Sequence, residues 1–373
     1  MKILFVMKRF SSGKDMVLED FGRQMRLADE LNRLGHKVDF LCADYKAKEN
    51  FEKIVNGKRV NVIGISVFSI FQLIKRLNKV AKGYDAIIGA TDPIFGIIVH
   101  RPAKKNKKLF IYDIQDNYET YLTGKIPFLR LLERKAMRDA DLVLVESYLL
   151  EKKIKRFNKR TLVIPNGVSY DINKVTEKKK ARRILNLPLD KKIIVYAGRY
   201  HGSHEKEGVD LLLKVFSKLR GQNSKYKDVT LLLIGDGNRQ RLKIERNKGN
   251  IIALDSMPYK KLMVALSASD VMVLPYTKTR FTQYMLTPYK LPEYMVFNRP
   301  IVCSNVGEFK KMLKETRDLV FNPGDHDDFI EKLKKALYYN KKIDYSQELK
   351  NYTWENIAKK LNKSLRRIAH KNE

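Results

Sequence analysis

Short apolar runs separated by helical patterns recur along the whole chain, and this alternation constrains the fold more than any other feature. Lys2 to Met7, KILFVM, is the first such run. A loop and a helix follow it, with Leu27, Leu31 and Leu34 at helical spacing and Gly35 closing the helix before a second run, Val38 to Cys42. Strand, helix and strand in that order make a βαβ unit, whose crossover returns the chain to the same edge of the sheet and leaves the strands parallel. Further runs stand at Val60 to Ile65, Ala86 to Gly89, Leu109 to Asp113, Leu142 to Val145 and Leu162 to Pro165, with helical patterns between most of them. A doubly wound α/β domain is expected.

Lys174 to Arg183, KVTEKKKARR, breaks the alternation with dense charge and reads as a linker. The pattern then restarts. Strands are expected at Ile193 to Ala197, Thr230 to Ile234, Ile251 to Leu254, Val271 to Leu274, Ile301 to Cys303 and Leu319 to Phe321, and helices at Gly208 to Leu219, Arg239 to Arg246 and Lys260 to Ala268. Residues 1–172 and 173–353 should therefore form two Rossmann-like domains with a cleft between them. Residues 354–373 contain an amphipathic helix, Trp354 to Ile368, expected to cross back onto the first domain with Trp354 as its anchor.

A chain of 373 residues can bury two cores, and a hydrophobic share of 44% excludes general disorder despite the charge. The longest uncharged run, Val60 to Ile74, contains Asn61, Ser66, Ser69 and Gln72 and falls short of the ~20 apolar residues of a spanning helix. The start of the chain lacks the features of a signal peptide, and Cys42 and Cys303 sit in separate halves as reduced core thiols, so a cytoplasmic protein is expected. A net charge of +33 implies a surface attracted to polyanions. The basic residues are dispersed, with no recognition helix, zinc spacing or aromatic RNA-binding motif, so specific nucleic-acid binding is not expected. Gly13 and Lys14 do not make a P-loop, because Asp15 follows where Ser or Thr is needed. Metal-ligand spacing is absent too: His201 and His204 lie in a polar loop, and Asp325 to Asp328 read as a helix start.

One stretch carries chemistry. In Phe281 to Asn305, a helix is expected to open at Thr287-Pro288, to bury Leu291, Met295 and Phe297, and to stop at Asn298-Arg299-Pro300. A helix that opens after a parallel strand directs unpaired N–H groups toward the strand ends, a setting for a phosphate, and Glu293 one turn in can accept two ribose hydroxyls.

Several segments now stand in a telling order: Ile164 to Val168, IPNGV; Tyr196-Ala197-Gly198-Arg199; Gly235-Asp236-Gly237; Ser256-Met257-Pro258-Tyr259; and Leu291 to Met295, LPEYM. Together they resemble a GT-B glycosyltransferase of family 4, the retaining group that uses nucleotide sugars, over essentially the whole chain. The resemblance implies a nucleotide-sugar donor, no essential metal or other cofactor, and no protein nucleophile. It assigns Arg199 and Lys206 to the leaving diphosphate, with the backbone at Gly198, Gly235 and Met257 and the residues Thr287, Lys290, Leu291 and Glu293 around the donor. Two departures stand out. Glu207 occupies the position directly before Gly208 where the family usually has lysine. Met285 occupies the first of the family's two glutamate positions, so the donor sugar is held by other groups, such as Thr287 and backbone N–H groups of Leu286 to Lys290, or is an unusual sugar, or activity has been lost. A non-catalytic subunit and a sugar-nucleotide epimerase are the competing functions.

In the first half the resemblance points to Asp116, with Gln115 in place of the family's preceding histidine or arginine. Its carboxylate can orient or deprotonate an acceptor hydroxyl, and can equally cap the next helix. Gly22 and Asp92 are assigned to the acceptor side. The acceptor itself is expected to be a glycan or a lipid-linked glycan of surface polysaccharide or glycolipid synthesis. Phe68 to Lys82 and Ile126 to Arg138 pair apolar residues with Lys75, Arg76, Lys79, Lys82, Arg130, Arg134, Lys135 and Arg138. Such helices suit either peripheral contact with an anionic leaflet or an ordinary helical layer with charged outer faces.

Overall fold

The computed structural model describes residues 1–11, 14–65, 70–121, 123–169, 175–199, 203–235, 250–285 and 287–372. Its contacts divide the chain into two units, Met1–Gly167 with Tyr352–Glu373, and Val168–Asn351. The expected boundary at residues 172 and 173 lies outside the described residues, as do the helix Arg239 to Arg246 and part of the proposed linker.

The first unit is built on β1 (Lys2–Lys8), a small hairpin of β2 (Phe10–Ser11) and β3 (Lys14–Asp15), and then β4 (Lys37–Asp44), β5 (Phe51–Val55), β6 (Lys58–Gly64), β7 (Ala86–Ala90), β8 (Leu109–Ile114), β9 (Leu142–Val145) and β10 (Thr161–Val163). Apart from the hairpin strands β2 and β3, these form one sheet in the order β10-β9-β8-β7-β1-β4-β6-β5, parallel except at β5. Its central strands are Ile-, Val- and Leu-rich because helices cover both faces. Phe5 pairs with Phe40 across β1 and β4, their rings stacked with centroids 5.4 Å apart. The antiparallel edge strand β5 was not expected. Its signal is Asn56-Gly57, whose φ values of 48° and 75° turn a tight hairpin into β6.

Crossovers run one way from β1 to β4 and β6 and the other way from β7 to β8, β9 and β10, so a switch point lies between β1 and β7. Right-handed connection then puts α1 (Arg23–Arg33) on one face. On the other lie α2 (Ile70–Ala81), α3 (Pro93–Lys105), α4 (Pro127–Asp139) and α5 (Tyr148–Ile154), with α3 packed between α2 and α4. The C-terminal helix Trp354–Asn372 packs on α1. Trp354 is buried against Gly167, where an added Cβ would stand 2.8 Å from the indole, and Lys360 Nζ donates to the Val163 carbonyl at 2.9 Å.

In the second unit, α6 (Lys178–Ile184) precedes β11 (Ile193–Ala197), α7 (Ser203–Gln222), β12 (Thr230–Ile234), β13 (Ile251–Leu254), β14 (Val271–Leu274), β15 (Ile301–Ser304) and β16 (Val320–Phe321). The parallel sheet runs β13-β12-β11-β14-β15-β16, with its switch point between β11 and β14. Helix α6 corrects the linker reading of Lys174 to Arg183. The charges there are anchored: Arg182, buried, donates to Asp270 at 2.7 Å and to the carbonyls of Ala268, Leu189 and Lys191, while Lys178 meets Asp270 at 2.8 Å. Burial works against the Asp270 charge, but Lys178, the Ile193 N–H and Arg182 outweigh it and hold the carboxyl below its ordinary range. The expected helix start at Asp325 is present, its side chain accepting from the N–H groups of Asp327 and Asp328.

Candidate active site

The switch point of the second unit is shaped by two glycine turns. Gly198 follows β11 with φ 156°, and its N–H donates to the Ile234 carbonyl at 2.8 Å. Gly235 follows β12 with φ 132°, and a Cβ there would stand 2.3 Å from the Gly198 carbonyl oxygen. Both positions therefore need glycine, for the backbone angle and for the close approach of the turns. The family resemblance assigned both to the donor side.

Lys290 reaches across these turns from the helix Lys290–Met295. A Cβ on Gly198 would meet its Nζ at 2.4 Å. The ammonium donates to the Tyr196 phenol oxygen at 3.3 Å and lies 5.1 Å and 5.6 Å from the ring centroids of Tyr196 and Tyr276. Two ring faces favour a cation there. The Tyr196 phenol donates in turn to the Arg199 carbonyl at 3.2 Å, and the fully buried Tyr294 phenol accepts from the Ala197 N–H at 2.8 Å. Arg199, next to this ring-lined cation, is exposed.

The helix opens two residues later than Thr287-Pro288 suggests, with Tyr289 at its N-cap and Lys290 as its first residue. Leu291 N–H bonds the Pro288 carbonyl at 2.9 Å, a tighter i→i+3 turn ahead of regular helix. Thr287 and Leu291 are fully buried, and Glu293 is half-buried in the first turn. Upstream, Thr282 Oγ1 donates to the Thr277 carbonyl at 2.7 Å, and the Met285 carbonyl accepts from the Glu308 N–H at 2.9 Å. The loop is thus tied at both ends. Leu286 lies outside the described residues, as do Asp236 and Gly237.

Helix α7 enters the same region. A Cβ on Gly208 would fall 1.9 Å from the Pro275 carbonyl, and Thr277 Oγ1 donates to Glu207 at 3.1 Å. Gly208 thereby fixes the register of α7 against the end of β14. The side chain of Lys206 is outside the described atoms. Met257 is half-buried in the turn after β13.

In the first unit the ends of β7 and β8 bring acidic and aromatic residues together. Thr91 has φ 77°, a strained angle for a β-branched residue, and its Oγ1 accepts from the Lys8 N–H at 3.1 Å. Asp92 caps α3 by accepting from Ile94 N–H at 3.2 Å, and burial pushes its carboxyl up. Asp116 accepts from the Tyr121 phenol at 2.6 Å. Burial, then Asp116 and more weakly Asp92, raise the Tyr121 phenol. Gly22, φ 98°, starts α1 so that buried Arg23 meets buried Asp113 at 2.8 Å.

Glu133 escaped the sequence reading. It lies on the buried stripe of α4 with Ala136 and Met137, accepts from the Tyr112 phenol at 3.0 Å, and is pushed up to about 7 by desolvation. A cavity of about 20 Å³, room for roughly one water, adjoins it and is also lined by Asp116, Glu119 and Lys153. Its signal was a carboxylate at the apolar spacing of an amphipathic helix. Tyr121 had no comparable signal.

Two doubly wound parallel units, with paired glycine turns and cations gathered at a switch point, define the class of GT-B glycosyltransferases. Residues 24–171 match the family described as glycosyltransferase family 4, and residues 191–338 match glycosyl transferases group 1. The chain belongs to this glycosyltransferase family. It is 25% identical over 194 residues to the putative teichuronic acid biosynthesis glycosyltransferase TuaC of Bacillus subtilis, covering 51% of this chain and 45% of that protein. It is 24% identical over 221 residues to the lipopolysaccharide 1,2-N-acetylglucosaminetransferase of Salmonella typhimurium, covering 55% of this chain and 56% of that one. The chain therefore spans about half the length of the curated relatives it matches. Among solved structures, sucrose-phosphate synthase of Thermosynechococcus elongatus superposes with a TM-score of 0.72 at 18% identity over 99% of both chains. Anabaena HepE in complex with UDP superposes with a TM-score of 0.70 at 15% identity, covering 98% of this chain and 100% of that one.

Proposed function

We propose that this protein is a retaining glycosyltransferase that moves a sugar, hexose or related, from a nucleoside-diphosphate donor to a glycan or lipid-linked acceptor. Its setting is the synthesis of a surface polysaccharide or glycolipid on the cytoplasmic side of a membrane. The observation that carries this reading is the Lys290 ammonium packed over Gly198 beside Arg199 at the switch point. The relatives' roles in teichuronic acid and lipopolysaccharide chemistry support the acceptor class, and the UDP and UDP-glucose complexes of HepE support the donor class.

As the glycosidic bond to the donor breaks, negative charge gathers on the diphosphate and positive charge on the sugar ring. Arg199 offers a planar fork to two phosphate oxygens, and Lys290 and Lys206 add point charges. These cations take the part a divalent metal would otherwise play, so no metal or other cofactor is required. Glu293 accepts the ribose hydroxyls, the Met257 backbone meets the base, and Gly198 and Gly235 let the diphosphate approach the main chain. Met285 offers no strong acceptor, so Thr287 and the backbone N–H groups of the non-proline residues from 286 to 290 hold the donor sugar. Asp116, oriented by Tyr121, receives the acceptor hydroxyl beside Asp92 and the Gly22 turn.

The test is thermal denaturation against a series of nucleotide sugars, followed by hydrolysis and transfer assays with the stabilising one, since a ligand that binds only the folded state raises its stability by mass action. Stabilisation with turnover to an acceptor is expected. Binding without turnover would favour the non-catalytic subunit suggested by Met285, and release of an altered sugar without acceptor would favour an epimerase. Arg199→Ala should abolish nucleotide-sugar binding while the protein stays folded; wild-type transfer by that variant would overturn the phosphate site.

A further inference from the structure

The helical layer α2–α3–α4 presents an apolar edge that the core does not use. Each of these helices follows a parallel strand, so their first turns lie at the carboxyl edge of the sheet, the edge that carries Asp92 and Asp116. There Phe71 is 73% exposed, Phe128 66%, Leu131 63% and Ile126 45%. Ile94 and Ile97 on the middle helix are half-buried between them. Large apolar side chains grouped this way mark an interaction surface, in contrast to single exposed residues.

Charge identifies what covers it. Beyond the apolar turns α2 exposes Lys75 and Lys79, with Lys82 just past its end, α3 exposes Arg101, Lys104 and Lys105, and α4 exposes Lys135 and Arg138. No acidic residue occurs in α2 or α3. In α4, Glu133 is buried and Asp139 is paired with His100 at 2.7 Å. An apolar tip backed by cations with no exposed unpaired acid fits a surface whose hydrocarbon lies beneath a sheet of negative headgroups. A second copy of the same surface would bring cations against cations.

We propose that this edge docks peripherally on an anionic phospholipid leaflet, with Ile126, Phe128, Leu131 and Phe71 entering the headgroup boundary and the lysines and arginines behind them meeting phosphate. No helix of the described residues is long and apolar enough to cross a membrane, so the contact is with one leaflet. Resting on the glycosyltransferase reading, this assigns the acceptor to a lipid-linked class: docking here would bring the edge bearing Asp92 and Asp116 to the level of the headgroups, where a lipid-linked sugar is presented.

The test is sedimentation of the full chain with vesicles of phosphatidylcholine alone and of phosphatidylcholine with phosphatidylglycerol, at low and high salt. Alongside it, the double variant Phe128→Glu, Leu131→Glu is compared for melting temperature, nucleotide-sugar hydrolysis and oligomeric state. Wild type should sediment only with the anionic vesicles and be released by salt. The variant should lose at least tenfold in partitioning with melting temperature and hydrolysis unchanged. Equal sedimentation of the variant, no sedimentation of wild type at low salt, or a wild-type dimer that the variant dissolves would each overturn the docking surface. The two readings fail separately: hydrolysis without vesicle binding removes only the docking, and vesicle binding without nucleotide-sugar recognition removes only the transferase.

Discussion

The ammonium of Lys290 lies directly over the α-carbon of Gly198, so close that a methyl group there would stand 2.4 Å from Nζ. The glycine and the lysine are thus one device. The turn must lack a side chain for the cation to sit at the strand end, and the rings of Tyr196 and Tyr276 hold it there.

Lys290→Met removes the charge and keeps much of the apolar stem. A charged hydrogen bond to phosphate is worth about 1.5–3 kcal/mol, so donor affinity should fall roughly 10- to 150-fold. The melting temperature of the free protein should fall slightly, because the variant loses the contact of the ammonium with the Tyr196 and Tyr276 rings and its hydrogen bond to the Tyr196 phenol. Isothermal titration with the donor nucleotide checks the first statement and thermal denaturation the second. Unchanged affinity would remove Lys290 from the donor site.

Gly307→Ala should be a stability variant. Gly307 has φ 53°, and an added Cβ would meet the Met285 carbonyl oxygen at 2.0 Å and the Thr282 carbonyl oxygen at 3.0 Å. Left-handed backbone costs alanine about 1–2 kcal/mol, and the clash with main chain adds to it, so a loss of about 2–4 kcal/mol in urea denaturation is expected. The same carbonyl accepts the Glu308 N–H, so the displaced loop should also weaken donor binding beyond the loss in stability. Wild-type stability would mean that the loop yields freely around residue 285.

The features legible in the sequence share a short range. Apolar runs are local, so the strands and the helix around Glu293 could be read from spacing, while Gly198 and Gly235 were marked by the family resemblance of their segments. What was misread depends on distant partners. Lys174 to Arg183 looks like a charged linker until Arg182 and Lys178 find Asp270, 88 and 92 residues away in sequence. Tyr121 becomes a site residue only because its phenol donates to Asp116 just past the end of β8. The basic helices were readable as amphipathic, but which of their apolar residues remain outside the core depends on how α3 fills the space between α2 and α4.

Glu133 gives the protein a pH signature in a window where few groups titrate. Its carboxyl is raised from an ordinary 4.5 to about 7, chiefly by desolvation, with Glu119 adding to the rise and the Tyr112 hydrogen bond opposing it. A carboxyl raised in the folded state binds more protons folded than unfolded between those values. Its contribution to stability is therefore fully present below about 4.5 and declines as pH rises toward about 7, beyond which the loss is complete. At about 1.4 kcal/mol per pH unit the full loss is on the order of 3 kcal/mol. Glu133→Gln keeps an acceptor for Tyr112 and has no charge to desolvate. Against wild type it should show a similar melting temperature near pH 5 and a higher one near pH 8, so the difference between the two proteins grows through this window. Parallel curves for the two proteins from pH 5 to 8 would show that Glu133 is ionised in the folded state throughout, with its charge solvated by water in the adjoining cavity.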